Sequence, residues 1–124
     1  MNKTKGFSLI ELVVVITIMA VIIALVSVNF ASTGKKGRDS RRMADLEKVR
    51  MALEMARQAG TTYPGDINDL VSDYIQAIPT DPKGGNYRYN RATNYSYVLE
   101  ATMEDVGSTN GNYGNGYNYR VTNP

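Results

Sequence analysis

FSLIELVVVITIMAVIIALVSVNF, residues Phe7–Phe30, is apolar almost throughout and carries a single charge, Glu11. As a helix rising about 1.5 Å per residue it is roughly 36 Å long, enough to cross a hydrocarbon core. Lys3 and Lys5 precede the run, and Lys35, Lys36 and Arg38 follow it, so basic residues lie on both sides. The short leader is easily held in the cytoplasm while the larger C-terminal body is sent outward, giving an N-in, C-out single pass. A secretory signal peptide is the competing reading. Its apolar region is normally about 7 to 15 residues and ends at a small-x-small site, which Phe30–Ser32 reproduces poorly.

Glu11 sets the terms for the rest. A carboxylate within a span costs about 2.5 to 3.5 kcal/mol on insertion scales, so it needs either a position near the interface or a partner. The second reading places a positive group from another chain beside it, inside a helix bundle.

The octapeptide Lys5-Gly6-Phe7-Ser8-Leu9-Ile10-Glu11-Leu12, followed at once by a long apolar helix, resembles the N-terminal signal of type IV prepilins and type II secretion pseudopilins. The resemblance implies that a prepilin peptidase cuts after Gly6 and that the new amine of Phe7 is methylated. It also places the family's glutamate on Glu11. Further implications are a homopolymer built through the N-terminal helices, an inner-membrane assembly platform with its assembly ATPase, and passage from the cytoplasmic membrane to an extracellular filament. The spacing has a physical rationale: the Phe7 amine of one subunit can approach the Glu11 carboxylate of the next, where low dielectric strengthens the attraction. A glycine at position 6 lets an enzyme approach the backbone closely. Ser8 and Thr17 read as helix residues whose hydroxyls bond back to the chain.

Beyond Phe30 the polar stretch Ala31–Gly37 holds Gly34 and Gly37, each worth about 1 kcal/mol against a helix, so a bend or extended segment is expected there. The apolar part contains neither glycine nor proline, unlike related pilins whose helix carries breakers there. From Arg38 to Ala59, Met43, Leu46, Val49, Leu53 and Ala56 recur every three or four residues and predict an amphipathic helix. Arg41 with Asp45 and Arg50 with Glu54 stand four apart and read as surface pairs. Gly60 and Pro64 turn the chain away.

Asp66 is placed to cap a short helix through about Tyr74, with Ile67, Leu70 and Val71 as its buried side. Pro79, Asp81, Pro82 and Gly85 form an Ile-Pro-x-Asp-Pro turn like that of major pseudopilins. Strands are expected at Asn86–Asn90 and Tyr95–Met103, with a third around Tyr117, Tyr119 and Val121. Tyr95, Tyr97, Leu99, Ala101 and Met103 alternate with more polar residues, and this face should cover the Met43–Ala56 stripe. The fold class is therefore α+β and pilin-like: a long N-terminal helix, half membrane-spanning and half amphipathic, against a small antiparallel sheet. The divisions are a leader at 1–6, the span at 7–30, hinge and amphipathic helix at 31–59, and a head at 60–124.

The net charge of +2 does not indicate nucleic acid as a partner, and removing the leader with Lys3 and Lys5 leaves 12 basic against 12 acidic side chains. Low net charge suits dense self-packing. Without cysteine or histidine the chain lacks thiol chemistry and most covalent-catalytic arrangements, and no enzyme activity is expected. The nine tyrosines read as strand packing residues with wet hydroxyls, the alternative being an aromatic surface for carbohydrate or single-stranded nucleic acid. Pseudopilins can bind calcium in a C-terminal loop. Glu104, Asp105, Asn110 and Asn112 offer oxygen ligands here, though not at the spacing of a defined calcium loop, and no cofactor is expected. Three functions remain: a type IV pilus subunit for adhesion, motility or DNA uptake; the major pseudopilin of a type II secretion system; and a monomeric membrane-anchored binding module. The first is favoured.

Overall fold

A computed structural model describes residues 6–123 of the chain, which divides into two compact units, Met1–Gly34 and Lys35–Pro124. The leader residues Lys3 and Lys5 lie outside the described residues. Helix α1 (Leu9–Gly60) contributes to both units.

In the first unit every described residue from Gly6 through Gly34 is exposed. Among the described residues nothing covers this apolar surface, and α1 is long and apolar enough to cross a membrane. The polar side chains within it are handled locally: Thr17 donates to the Val13 carbonyl at 2.7 Å and Ser27 to that of Ile23 at 2.8 Å. Such back-bonding removes hydroxyls from lipid without a partner helix. Gly34 and Gly37, where an extended segment was expected, are helical. The local cost of about 1 kcal/mol per glycine does not interrupt α1, which runs through both positions.

In the second unit, α1 presents Leu46, Val49, Ala52, Leu53 and Ala56 to an antiparallel sheet of β1 (Arg88–Thr93), β2 (Ser96–Ala101) and β3 (Tyr119–Thr122), in the order β1-β2-β3. Tyr97, Leu99, Ala101 and Met103 complete the core with Tyr63, Leu70 and Tyr87, while Met43 packs at its edge. Each fully buried aliphatic side chain contributes about 1.5–3 kcal/mol, well above the 0–1 kcal/mol of an exposed ion pair on the same helix. Core packing therefore fixes the helix face.

The boundaries moved in several places. Helix α1 ends at Gly60, but the left-handed residue beyond it is Thr61, at φ 67°. The helix expected after Asp66 is only a 3-10 turn, Ile67–Leu70, closed by a reciprocal capping box between Asp66 and Asp69. Ser72 at φ 77° turns the chain before another helical turn can form, and Val71 is exposed. Strand β1 begins and ends later than expected and is bulged between Arg91 and Thr93. Tyr95 lies outside β2 and is exposed.

Candidate functional site

Gly6 has open space where a Cβ would stand, and Phe7 is 81% exposed. Both candidate cleavage residues are thus accessible in the chain. Ser8 is the first residue of the helix cap: its carbonyl accepts from the Leu12 amide at 3.2 Å, and its own N–H donates to Glu11 Oε2 at 2.9 Å. The bond supplies half of a capping box, and a carboxylate in the first turn also suits the positive end of the helix dipole. Ser8 therefore acts through its backbone rather than as an ordinary helix residue. The Ser8-x-x-Glu11 spacing carried this signal in the sequence. Phe7, Ile10, Glu11, Val14 and Val15 line one shallow groove of about 340 Å³, so Glu11 and the residue that would bear the new amine border the same surface.

In the second unit a set of charges is buried where the sequence indicated a solvated face. Arg42, 2% exposed, holds Asp81 with two bonds of 2.6 and 2.9 Å, and its Nη1 donates to Asp39 at 2.7 Å and to Glu104 at 2.9 Å. Glu104 also receives Arg38 through two bonds of 2.7 Å and pairs with Lys83 at 2.8 Å. Asp39, wholly buried, accepts the backbone amides of Glu104 and Asp105. Three carboxylates and three cations balance. For Asp39, burial pushes the pKa up, but the Glu104 and Asp105 amides and Arg42 overcome it, leaving a value below the usual carboxylate range. Arg42 lowers Asp81 against the opposing effect of burial, and Arg38 and then Lys83 lower Glu104. This arrangement clamps the turn at 81–85 and the segment after β2 onto α1.

Other expected pairs rearrange. Arg41 approaches Asp45 at 4.0 Å, but Arg50 pairs with Glu47 at 3.4 Å rather than with Glu54. Glu54 instead accepts the hydroxyls of Tyr63 at 2.8 Å and Tyr97 at 3.2 Å, and Tyr87 donates to Asp45 at 3.0 Å. The buried tyrosines are therefore bonded to helix carboxylates rather than wet, and burial is the main cause that raises their pKa values.

The calcium candidates are not brought together. Glu104 is held by three basic side chains, Asn110 is clipped to Arg120 through bonds of 2.8 and 2.9 Å, and Asn112 accepts the Gly114 amide. Among the described residues no group of three or more acidic side chains is placed to hold a metal ion.

Residues 1–27 match the family model of the prokaryotic N-terminal methylation motif. Over more of its length the chain is similar to type II secretion system core protein G. It is 30% identical to that of Klebsiella pneumoniae over 71% of this chain and 75% of the relative. The protein of Vibrio cholerae is 25% identical over 90% of both chains, and that of Dickeya chrysanthemi 26% identical over 93% of this chain and 91% of the relative. No solved structure matches significantly. These similarities favour the secretion pseudopilin over the type IV pilus subunit.

Proposed function

This chain belongs to the type II secretion system core protein G family, and on that footing we propose that it is the major pseudopilin of a secretion system, a structural subunit without catalysis of its own. Before assembly it is anchored in the cytoplasmic membrane by α1, N-in and C-out. A prepilin peptidase removes residues 1–6, the Phe7 amine is methylated, and an assembly platform with its ATPase drives the subunits into a filament of like chains.

The single observation that carries the assembly reading is the position of Glu11: the one carboxylate in the exposed apolar part of α1, in its first turn, bordering the same groove as Phe7. Among the described residues its carboxylate is engaged by a local amide bond. A cationic amine from a neighbouring subunit offers a stronger, charge-assisted partner, and meeting it fixes the axial register of one helix against the next.

The test is a strain expressing Glu11→Ala or Gly6→Asp as the sole copy. Glu11→Ala should give the processed N-terminal mass but few filaments by electron microscopy, and exported enzymes should accumulate in the cell. Gly6→Asp should retain residues 1–6 and form no filaments. Normal filaments from Glu11→Ala would refute the charge-pair mechanism. Normal export with lost surface adhesion or motility would instead identify a type IV pilus subunit.

A further inference from the structure

The loop before β3 contains two Asn-Gly dipeptides, Asn110-Gly111 and Asn115-Gly116. In such a pair the backbone nitrogen of the glycine can attack the asparagine side chain with no Cβ to hinder it. Elsewhere among the described residues each asparagine is followed by a residue with a side chain.

The two sites are held very differently. The Asn110 carboxamide imitates a strand residue: Oδ1 accepts the Arg120 amide at 2.9 Å and Nδ2 donates to the Arg120 carbonyl at 2.8 Å. The Tyr113 hydroxyl lies 3.0 Å from the Asn110 carbonyl oxygen and 3.2 Å from Oδ1, either of which can accept its proton, and the Tyr113 ring packs so closely over Gly111 that a Cβ there would stand 2.6 Å from it. Cyclisation at Asn110 requires breaking this set. Asn115 and Gly116 are instead the two central residues of an exposed turn, at φ 51° and 84°, closed by the Tyr117 amide donating to the Gly114 carbonyl at 3.0 Å. No hydrogen bond reaches the Asn115 carboxamide among the described residues, and open space surrounds the Gly116 Cα.

We propose that Asn115 is a site of spontaneous deamidation in the folded chain, and that the fold protects Asn110. The Gly116 nitrogen gives its proton to hydroxide and bonds to Asn115 Cγ; the Cγ–Nδ2 bond breaks and ammonia leaves with a proton from water. Water then opens the resulting succinimide at either carbonyl, yielding aspartate or isoaspartate, with no change of oxidation state. Each event adds one negative charge to a nearly neutral processed subunit. The isoaspartate product also inserts a methylene into a two-residue turn, beside the Thr102 hydroxyl that donates to the Gly116 carbonyl at 3.1 Å. The age of a subunit is thereby written on an exposed loop, whatever its filament does.

The test incubates the full chain in detergent micelles at mildly alkaline pH, with a parallel sample unfolded in denaturant. Tryptic peptides are then read by fragment mass spectrometry, which separates positions 110 and 115. Both sites should react when unfolded. In the folded chain Asn115 should keep its rate within severalfold, while Asn110 slows by about tenfold or more because its hydrogen bonds must open first. Asn115→Gln should remove the product at 115 and leave Asn110 protected. Equal rates at the two positions in the folded chain, or protection of Asn115 as strong as that of Asn110, would overturn the proposal.

Discussion

Both carboxylate oxygens of Asp39 accept backbone amides from the segment after β2, and one also receives Arg42, so a single buried side chain ties a stretch 65 residues away to α1 and orients Arg42 on the same helix. Asp39→Asn removes the charge that balances Arg42 and turns an amide donor toward other donors. The expected loss is about 3 kcal/mol, the lower end for breaking a buried pair. Because all nine tyrosines lie in the second unit, near-UV circular dichroism of the full chain in micelles reports its melting. Glu47→Gln, which removes an exposed pair, should shift stability by less than about 0.5 kcal/mol in the same assay. Glu104 adds a second expectation at this scale: with three cations already on its carboxylate, neither chelator nor added calcium should move the melting temperature. A fall on chelation that calcium reverses would contradict the arrangement. Glu11 was legible in the sequence because a lone charge in an apolar run is conspicuous. The burial of Asp39 and Arg42 was not: the two pair three apart on the helix, but Asp81 and Glu104, which hold Arg42 from outside the helix, stand 39 and 62 residues away, beyond what spacing along the chain reveals.

Helix α1 was legible from its two patterns, apolar and then amphipathic, whereas its continuity was not, because glycine propensity is a weak local term that its surroundings override. Gly37 tests that balance. A Cβ there meets nothing within 4 Å, so Gly37→Ala should stabilise the helix by about 1 kcal/mol without a steric cost. Filament formation should be unaffected if the residue stays helical on assembly. A stabilised subunit that no longer assembles would show that the glycine serves as a hinge during assembly. The sheet gives a matching lesson. Strand β2 was readable from its period of two, but the residue pointing away from that face, Glu100, is also buried. Its cross-strand neighbours in register are Arg88 and Arg120, which pair with it at 3.1 and 2.6 Å. Register is a property of the assembled sheet, and no single strand encodes it.

Across the whole molecule the titratable groups divide into two sets that bound stability from opposite sides. Asp39, Asp81 and Glu104 have folded pKa values below their ordinary ones, so the unfolded chain binds protons first as pH falls. Their contribution is complete above about pH 5 and is lost progressively below about pH 4, toward the depressed folded values. Tyr63, Tyr87 and Tyr97 are raised, and Tyr89 is pushed up to about 12, chiefly by burial. Their contribution is complete below the unfolded value of about 10 and declines as pH rises through the folded ones. With no histidine in the chain, nothing with an ordinary side-chain pKa titrates between these limits. The melting temperature should therefore be flat from about pH 5 to about 9, fall on the acid side, and fall again above about 10 as phenolate absorbance appears. Salt should change the acid limb little, because the three carboxylates and Arg42 at the centre of the clamp are largely shielded from solvent. A stability loss centred between about pH 5 and 7 would contradict this account, since no ionisation of the buried clamp or of the tyrosine cluster falls there.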